Sequence, residues 1–244
     1  MNGTAPTPII EAPHCDGART IVFGATAEVL TPSRMAELTT IMKQGHSSYG
    51  GTLGGRACIS VGEVTGIGRV VAKQYQRGGI LRHLLAASYL KTGPIRSRVE
   101  YEVLEHVRSL GVRAPKPVAY AYQGGFFYQA WLFTQEIPST TTIAQLSMSE
   151  DERVREAFPD ILQQIITLIE HRVFHIDLHP GNVLLNERGE SFILDFDKAA
   201  YVSGSRNQLR DRYLCRWRRA VLKHGLPDYL TELMSHGLRR TFAE

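Results

Sequence analysis

Over residues 69–75, "RVVAKQY", Val71, Lys73 and Tyr75 alternate with Val70 and Ala72, as they do in a half-buried strand. Strand-like signals separated by glycines extend over the whole of 21–76, from "TIVFGA" through the short run "ACISV". The stretch "RGGILRHLLAASYLKTGPIRS" is partly helical and stops at Gly93-Pro94. Ser97-x-x-Glu100 has the form of a capping box opening a helix. Its apolar stripe is Val99, Val103, Leu104, Val107 and Leu110, and Gly111 ends it. "APKPVAYAYQGGFFYQAWLFTQEIP" reads as two strands joined at Gly124-Gly125.

Beyond Pro138 the period changes. Ser149-x-x-Glu152 is placed to cap a long helix with the stripe Phe158, Ile161, Leu162, Ile165, Ile166, Ile169 and Val173. A loop, the strand "NVLL", the turn "NERGE", the strand "FILDF", a basic helix over 205–224 and a short helical tail complete the chain. Strands first and helices second predict an α+β molecule of two lobes with a cleft between them. The expected division is a flexible leader over 1–20, an N-terminal lobe over 21–136 and a C-terminal lobe over 137–244.

Composition narrows the class. The chain has 244 residues, 43% hydrophobic and 21% charged, the balance of a soluble globular protein. No apolar run approaches the ~18 residues of a membrane-spanning helix. The leader lacks the basic and apolar regions of a secretory signal. Cys15, Cys58 and Cys215 are odd in number and far apart, which suits neither a disulfide frame nor a zinc site and predicts a reducing compartment. A net charge of +4 favours an anionic partner.

The chemistry concentrates in "HIDLHPGNVLLNERGESFILDFDKAA", residues 175–200. Asp177 and Asn182 share one loop, and Asp195 ends the second strand of the hairpin that follows. Strand pairing would bring these oxygen donors together, as a magnesium site requires. As plain turn formers, Asp and Asn would also be at home here. Phosphoryl transfer needs phosphates gripped, charge neutralised and an attacking hydroxyl aligned, and this hairpin can supply those parts.

"HIDLHPGNVLL…LDFD" resembles the catalytic and metal-binding loops of the protein-kinase-like superfamily, H-x-D-L-x-x-x-x-N and D-F-G. The resemblance implies a protein-kinase-like two-lobe fold with ATP and Mg2+. Asp177 would be the base, Asn182 and Asp195 the metal ligands, and His175 a prop near Phe196. Lys73, in "VVAK", would grip the nucleotide phosphates and pair with Glu100. A capping role alone also accounts for Glu100, although it lies closer to the buried stripe than Glu102 does. "YGGTLGGR", with Gly51 and Gly54, occupies the place of a phosphate-covering loop but would also serve as an ordinary turn. "LFTQEIP" resembles the adenine-binding hinge, marked by Glu136.

Only 47 residues follow Phe196-Asp197, there is no A-P-E motif, and DFD replaces DFG, all unlike the larger eukaryotic protein kinases. "KQYQRGGILRHLLAASYL", "RSRVEYEVLEHVRSLGVRAPKPVAYAY" and "GGFFYQAWLFTQEIPSTTTIAQL" are similar, in order and spacing over about 46–224, to the 3-deoxy-D-manno-octulosonic acid (Kdo) kinase family. That resemblance implies phosphorylation of the Kdo sugar on Kdo-lipid A, with no nucleic-acid partner. It also implies a peripheral location at the cytoplasmic face of the inner membrane in a Gram-negative bacterium. The loop filler H-P-G departs from that family's usual D-L-N-x-x-N. The alternatives are a soluble small-molecule kinase of the aminoglycoside-phosphotransferase type, a compact Rio-type protein kinase, and a catalytically silent binding module.

Three further features remain open in the sequence. Arg77 either meets an acceptor anion or sits solvated in a glycine turn. His179 either donates to the transferred phosphate or braces the loop. The basic helix, with Arg212, Arg216, Arg219, Tyr213 and Trp217, either packs on its lobe or meets an anionic membrane surface.

Overall fold

The computed structural model describes residues 8–17, 19–44, 58–75, 89–90 and 93–242. They fall into two compact units. The first takes its described residues from 8–44, 58–102 and 116–136, and the second from 103–115 and 137–242. The expected phosphate-loop glycines Gly51 and Gly54, and Arg77, lie outside the described residues.

The first unit is an antiparallel sheet. Its strands are β1 (Ile9–Asp16), β2 (Arg19–Thr26), β3 (Cys58–Val64), β4 (Gly68–Gln74), β5 (Tyr89–Leu90), β6 (Pro117–Gly124) and β7 (Phe127–Gln135). They run in the order β1-β2-β6-β7-β4-β3, with β5 beside β7. Part of the expected flexible leader is therefore ordered. β1 pairs with β2 along its full length, from Ile9 opposite Thr26 to Asp16 opposite Arg19. Its side chains are only half-buried, as on an edge strand, so its hydropathy carries little strand signal. Gly124 ends β6 at φ +112, and a Cβ there would lie 2.3 Å from the Phe127 carbonyl oxygen, so the β6–β7 turn requires glycine.

A second correction lies in 21–76, where α1 (Pro32–Lys43) stands among the expected strands. Thr31 caps it, Pro32 opens it, and Met35, Leu38 and Ile41 are buried. These side chains join Phe23, Val70, Ala72, Trp131 and Phe133 in the core on one face of the sheet. Strand alternation turns Lys73 and Tyr75 to the other face.

Helix α2 (Arg96–Ser109) begins in the first unit and ends in the second. The expected capping box is not formed. Ser97 lies inside the helix and donates to the Ala121 carbonyl at 3.2 Å, while Glu100 turns towards Lys73.

The second unit holds α3 (Ile143–Met148), α4 (Arg153–Glu170), α5 (Arg206–Lys223) and α6 (Tyr229–Thr241). Its short strands are β8 (Thr140–Thr142), β9 (Val173–Phe174), β10 (Val183–Asn186), β11 (Ser191–Ile193) and β12 (Ala200–Tyr201). Here too the expected box is absent. The Ser149 hydroxyl donates to Leu146 at the end of α3, and Asp151 receives the Arg153 N–H at 3.0 Å at the start of α4. By contrast Ser205 and Gln208 form a full capping box on α5. Helices α4 and α6 meet at Gly237, where a Cβ would lie 2.2 Å from Leu162. The described chain is thus α+β, with its long strands early and most of its helices late. No described helix is long and apolar enough to cross a membrane.

Candidate active site

In the first unit, Lys73 lies on β4, paired with Ile59 on β3 and Leu132 on β7, and is held by strands on both sides. Its Nζ stands 3.1 and 3.0 Å from the two carboxylate oxygens of Glu100. The Tyr75 hydroxyl donates to the same carboxylate. Glu100 is 2% exposed, while Glu102 faces outward and pairs with Arg98 one turn away at 2.8 Å. A carboxylate this deep needs its partners, because burial without them is unfavourable by several kcal/mol. At the end of β7, Arg69 binds the Glu136 carboxylate, and the Glu136 N–H donates to the Arg69 carbonyl at 3.0 Å. These two contacts tie the end of β7 to β4.

In the second unit, β10 and β11 form the expected hairpin, with Val183 opposite Ile193 and Leu185 opposite Ser191. Its turn is tied by Asn186 Oδ1, which accepts from Arg188 and Glu190 N–H at 3.0 and 2.9 Å. Beneath it, Gln164 on α4 donates to Ser191 Oγ at 2.7 Å and accepts from the Arg113 N–H at 2.8 Å. Asp160 takes bonds from Arg113 and Ser191 as well. This network joins the hairpin to α4 through groups that would be costly to leave unpaired.

One step beyond the strand pair, the Leu194 N–H donates to the Asn182 carbonyl at 2.8 Å, which puts Asn182 and Asp195 at adjacent ends of the hairpin. Asn182 sits in a single turn of 3-10 helix, Pro180–Asn182, and its Nδ2 donates to the Asp177 carbonyl at 3.0 Å. That bond fixes the amide and gives its Oδ1 a defined direction. Asp195 is exposed and holds φ +61, a left-handed conformation that Asp tolerates better than most residues at a penalty of about 1 kcal/mol or more. Among the described residues, no group of three or more His, Cys, Asp or Glu side chains gathers into a metal cage. Magnesium does not need one. One or two protein oxygens plus substrate phosphates are its usual set, and Asn182 with Asp195 fit that pattern.

His175, fully buried, underpins the loop. Its Nε2 faces the Leu194 carbonyl at 2.8 Å, and its ring meets Phe196 edge-on at 4.6 Å. Burial depresses its pKa, so the neutral ring donates from Nε2. Its own N–H donates to the Tyr213 hydroxyl at 2.8 Å, which donates in turn to the Val173 carbonyl at 2.9 Å. His179 accepts the Gly181 N–H on Nδ1 at 3.1 Å. Burial first, then Arg216 and His224, hold its pKa down at about 4. The neutral ring braces the loop through Nδ1.

Two cations meet Asp177 that no motif in the sequence connects with it. Lys198 Nζ lies 2.9 Å from Oδ2, and Arg216 Nη2 lies 3.0 Å from Oδ1. Lys198 arrives because β12 pairs with β9, Ala200 opposite Phe174, folding the segment after Asp195 back beside the loop. Arg216 arrives because α5 buries Leu209, Tyr213, Trp217, Ala220 and Val221, which turns the next face towards the loop. A two-residue strand and the rotation of a helix leave little local sequence signal. Of the two readings open for the basic helix, Tyr213 and Trp217 follow packing: both are 1% exposed and belong to the core.

The sequence profile of the lipopolysaccharide kinase (Kdo/WaaP) family matches residues 51–232, a span that contains every site residue described above. The chain is 30% identical over 169 residues to the 3-deoxy-D-manno-octulosonic acid kinase of Vibrio cholerae serotype O1, covering 68% of this chain and 67% of that protein. It is 30% identical over 155 residues to the enzyme of that name from Photobacterium damsela subsp. piscicida, 62% of this chain and 63% of the relative. For the one from Vibrio parahaemolyticus serotype O3:K6 the figures are 28% over 177 residues and 70% of each chain. A profile match over most of the chain, together with these relatives, shows that the protein belongs to the lipopolysaccharide kinase (Kdo/WaaP) family.

Proposed function

We propose that this chain uses Mg-ATP to phosphorylate a hydroxyl of the Kdo sugar on Kdo-lipid A. The observation that carries the reading is the loop and hairpin of the second unit. There Asp177 is partly open to solvent and held between two cations, with Asn182 and Asp195 at adjacent hairpin ends. The names of the relatives supply the acceptor.

In this reading Lys73, fixed by Glu100 and Tyr75, grips the nucleotide phosphates. Asn182 and Asp195 hold Mg2+, which when bound neutralises charge on those phosphates. Asp177 accepts the proton of the attacking hydroxyl as its oxygen bonds to the terminal phosphorus and the bond to the ADP oxygen breaks. Arg216 keeps the Asp177 carboxylate oriented. Lys198, 56% exposed at its side chain, is free to follow charge as it develops. The products are ADP, the phosphorylated sugar and a proton held on Asp177 until solvent takes it.

A lipid-linked acceptor places the work at a membrane surface, and we assign this chain to the cytoplasmic face of the inner membrane as a peripheral protein. With Trp217 and Tyr213 buried, α5 brings no aromatic side chain to that surface. Exposed aromatics suited to an interface are Phe126 and Phe127 at the β6–β7 turn, edge to face at 5.3 Å.

The decisive experiment incubates the protein with labelled ATP and either Kdo-lipid A or a panel of soluble hydroxyl acceptors. Label entering the lipid phase is the expected result. Label in a soluble acceptor alone would replace this reading with that of a small-molecule kinase.

A further inference from the structure

Helix α5 carries seven basic residues against one carboxylate, Asp211, and Arg210 already takes that one at 2.9 Å. Four of the seven, Arg212, Arg216, Arg219 and Lys223, are spaced four, three and four residues apart. At about 100° per residue they fall in one narrow row along the helix. The row leads to the candidate base. Arg216 sits 3.0 Å from Asp177, and Arg212 stacks its guanidinium 3.9 Å over the ring of Phe174, just ahead of the catalytic loop.

A merely solvated helix face mixes its charges, as Arg98 and Glu102 do on α2. Here the row is of one sign. Arg212, Arg219 and Lys223 are exposed, and no carboxylate among the described residues pairs with Arg219 or Lys223. At 1.5 Å per residue, Lys223 stands about 10 Å along the helix from Arg216. That span suits an anionic group several bonds away from a hydroxyl bound at Asp177.

We propose that this row is a binding track for anionic groups of the acceptor. A phosphate or carboxylate of the molecule being phosphorylated pairs with Arg219 and Lys223, and its hydroxyl is thereby presented to Asp177. The inference rests on the kinase reading above and adds the residues that select the acceptor. Binding energy from remote anions would orient a hydroxyl that has few contacts of its own. Arginine forks match phosphate and carboxylate geometry, which favours this use over a diffuse attraction.

The test compares two variants that each lose two charges from α5, assayed with Kdo-lipid A in nonionic detergent micelles. Arg219→Gln/Lys223→Gln removes the row beyond Arg216. Arg206→Gln/Arg218→Gln removes charges that lie off the row. The expected result is an acceptor KM raised about tenfold or more by the first, with kcat at saturating acceptor kept within about threefold and the nucleotide KM unchanged. Less than a twofold change in acceptor KM is expected from the second. Dephosphorylated acceptor should narrow the gap between wild type and the row variant. Equal effects of the two pairs would overturn the inference. So would a difference seen only on anionic vesicles, which would give the row to the membrane surface. A wild-type protein that phosphorylates no acceptor would instead remove the kinase reading itself.

Discussion

Glu100 is 2% exposed and is held by a strand lysine and a tyrosine. Asp177 is 26% exposed at its side chain and is held by a lysine in a turn and an arginine on a helix. The first carboxylate is locked among regular elements, where losing a partner leaves a buried charge. The second is held where a substrate could displace one partner without disturbing the core. On the proposed mechanism, the contrast separates a group that keeps its geometry through the reaction from one that exchanges partners during it. Removing charge from the first should therefore change stability and activity together, whereas at the second activity should fall nearly alone.

The largest expected effect is at Asp177. Asp177→Asn should lower turnover by roughly 10²–10⁴-fold, since the amide cannot take the proton. Its partners are one exposed lysine and one half-buried arginine at a partly solvated carboxylate, each contributing about 1 kcal/mol, so the melting temperature should stay within a few degrees. Steady-state kinetics beside thermal melts check both halves. A large loss of stability here would erase the contrast.

Next comes the buried pair. Lys73→Met should destabilise the protein by about 3 kcal/mol, the low end for a buried charge left without its partner, and abolish most turnover. The double variant Lys73→Met/Glu100→Gln should recover much of the stability but none of the activity. Denaturant titration of both variants, analysed as a cycle, would show additivity if the two residues were independent.

The two cations on Asp177 should then divide. Arg216→Gln, which lets the carboxylate swing, should cost up to about 10²-fold in turnover. The more exposed Lys198 should cost about tenfold as Lys198→Met, with partial recovery in Lys198→Arg. Indistinguishable variants would mean that burial does not separate positioning from charge stabilisation at this site.

The smallest effect is on pH. Folding keeps His179 neutral to about pH 4, while the unfolded chain takes up the proton near 6.5. Between those values the unfolded state binds more protons, so this contribution is fully present above pH 6.5 and is lost as pH falls towards 4. Buried His175 acts in the same direction. Facing His179 are Arg216, His224, His175 and Asp177, of which only Asp177 favours the proton. Melting temperatures from pH 7 to 5 should decline less steeply in His179→Asn than in wild type.

Tertiary context corrected several readings that local pattern had favoured. Ser97 and Glu100 spell a capping box, yet packing of α2 against the sheet buries both and hands them to Ala121 and Lys73. Ser149 belongs to the end of α3 rather than the start of α4. Helix α1 was hidden among strand-like segments, although Thr31-Pro32 is a legible start. Strand β1 lies in a stretch that reads as a leader because an edge strand buries too little to mark itself.

The sequence by itself determined the hairpin with Asp177, Asn182 and Asp195, the strand of Lys73 and the start of α5 at Ser205. Each depends on residues close in the chain, where period, turn chemistry and capping act directly. Tertiary structure decided which groups meet. Arg216 reaches Asp177 because Tyr213 and Trp217 must be buried, and Lys198 does so because β12 returns to β9. Such contacts follow from how whole elements rotate to exclude water, and a one-dimensional pattern records that a face is apolar without recording what will lie against its neighbour.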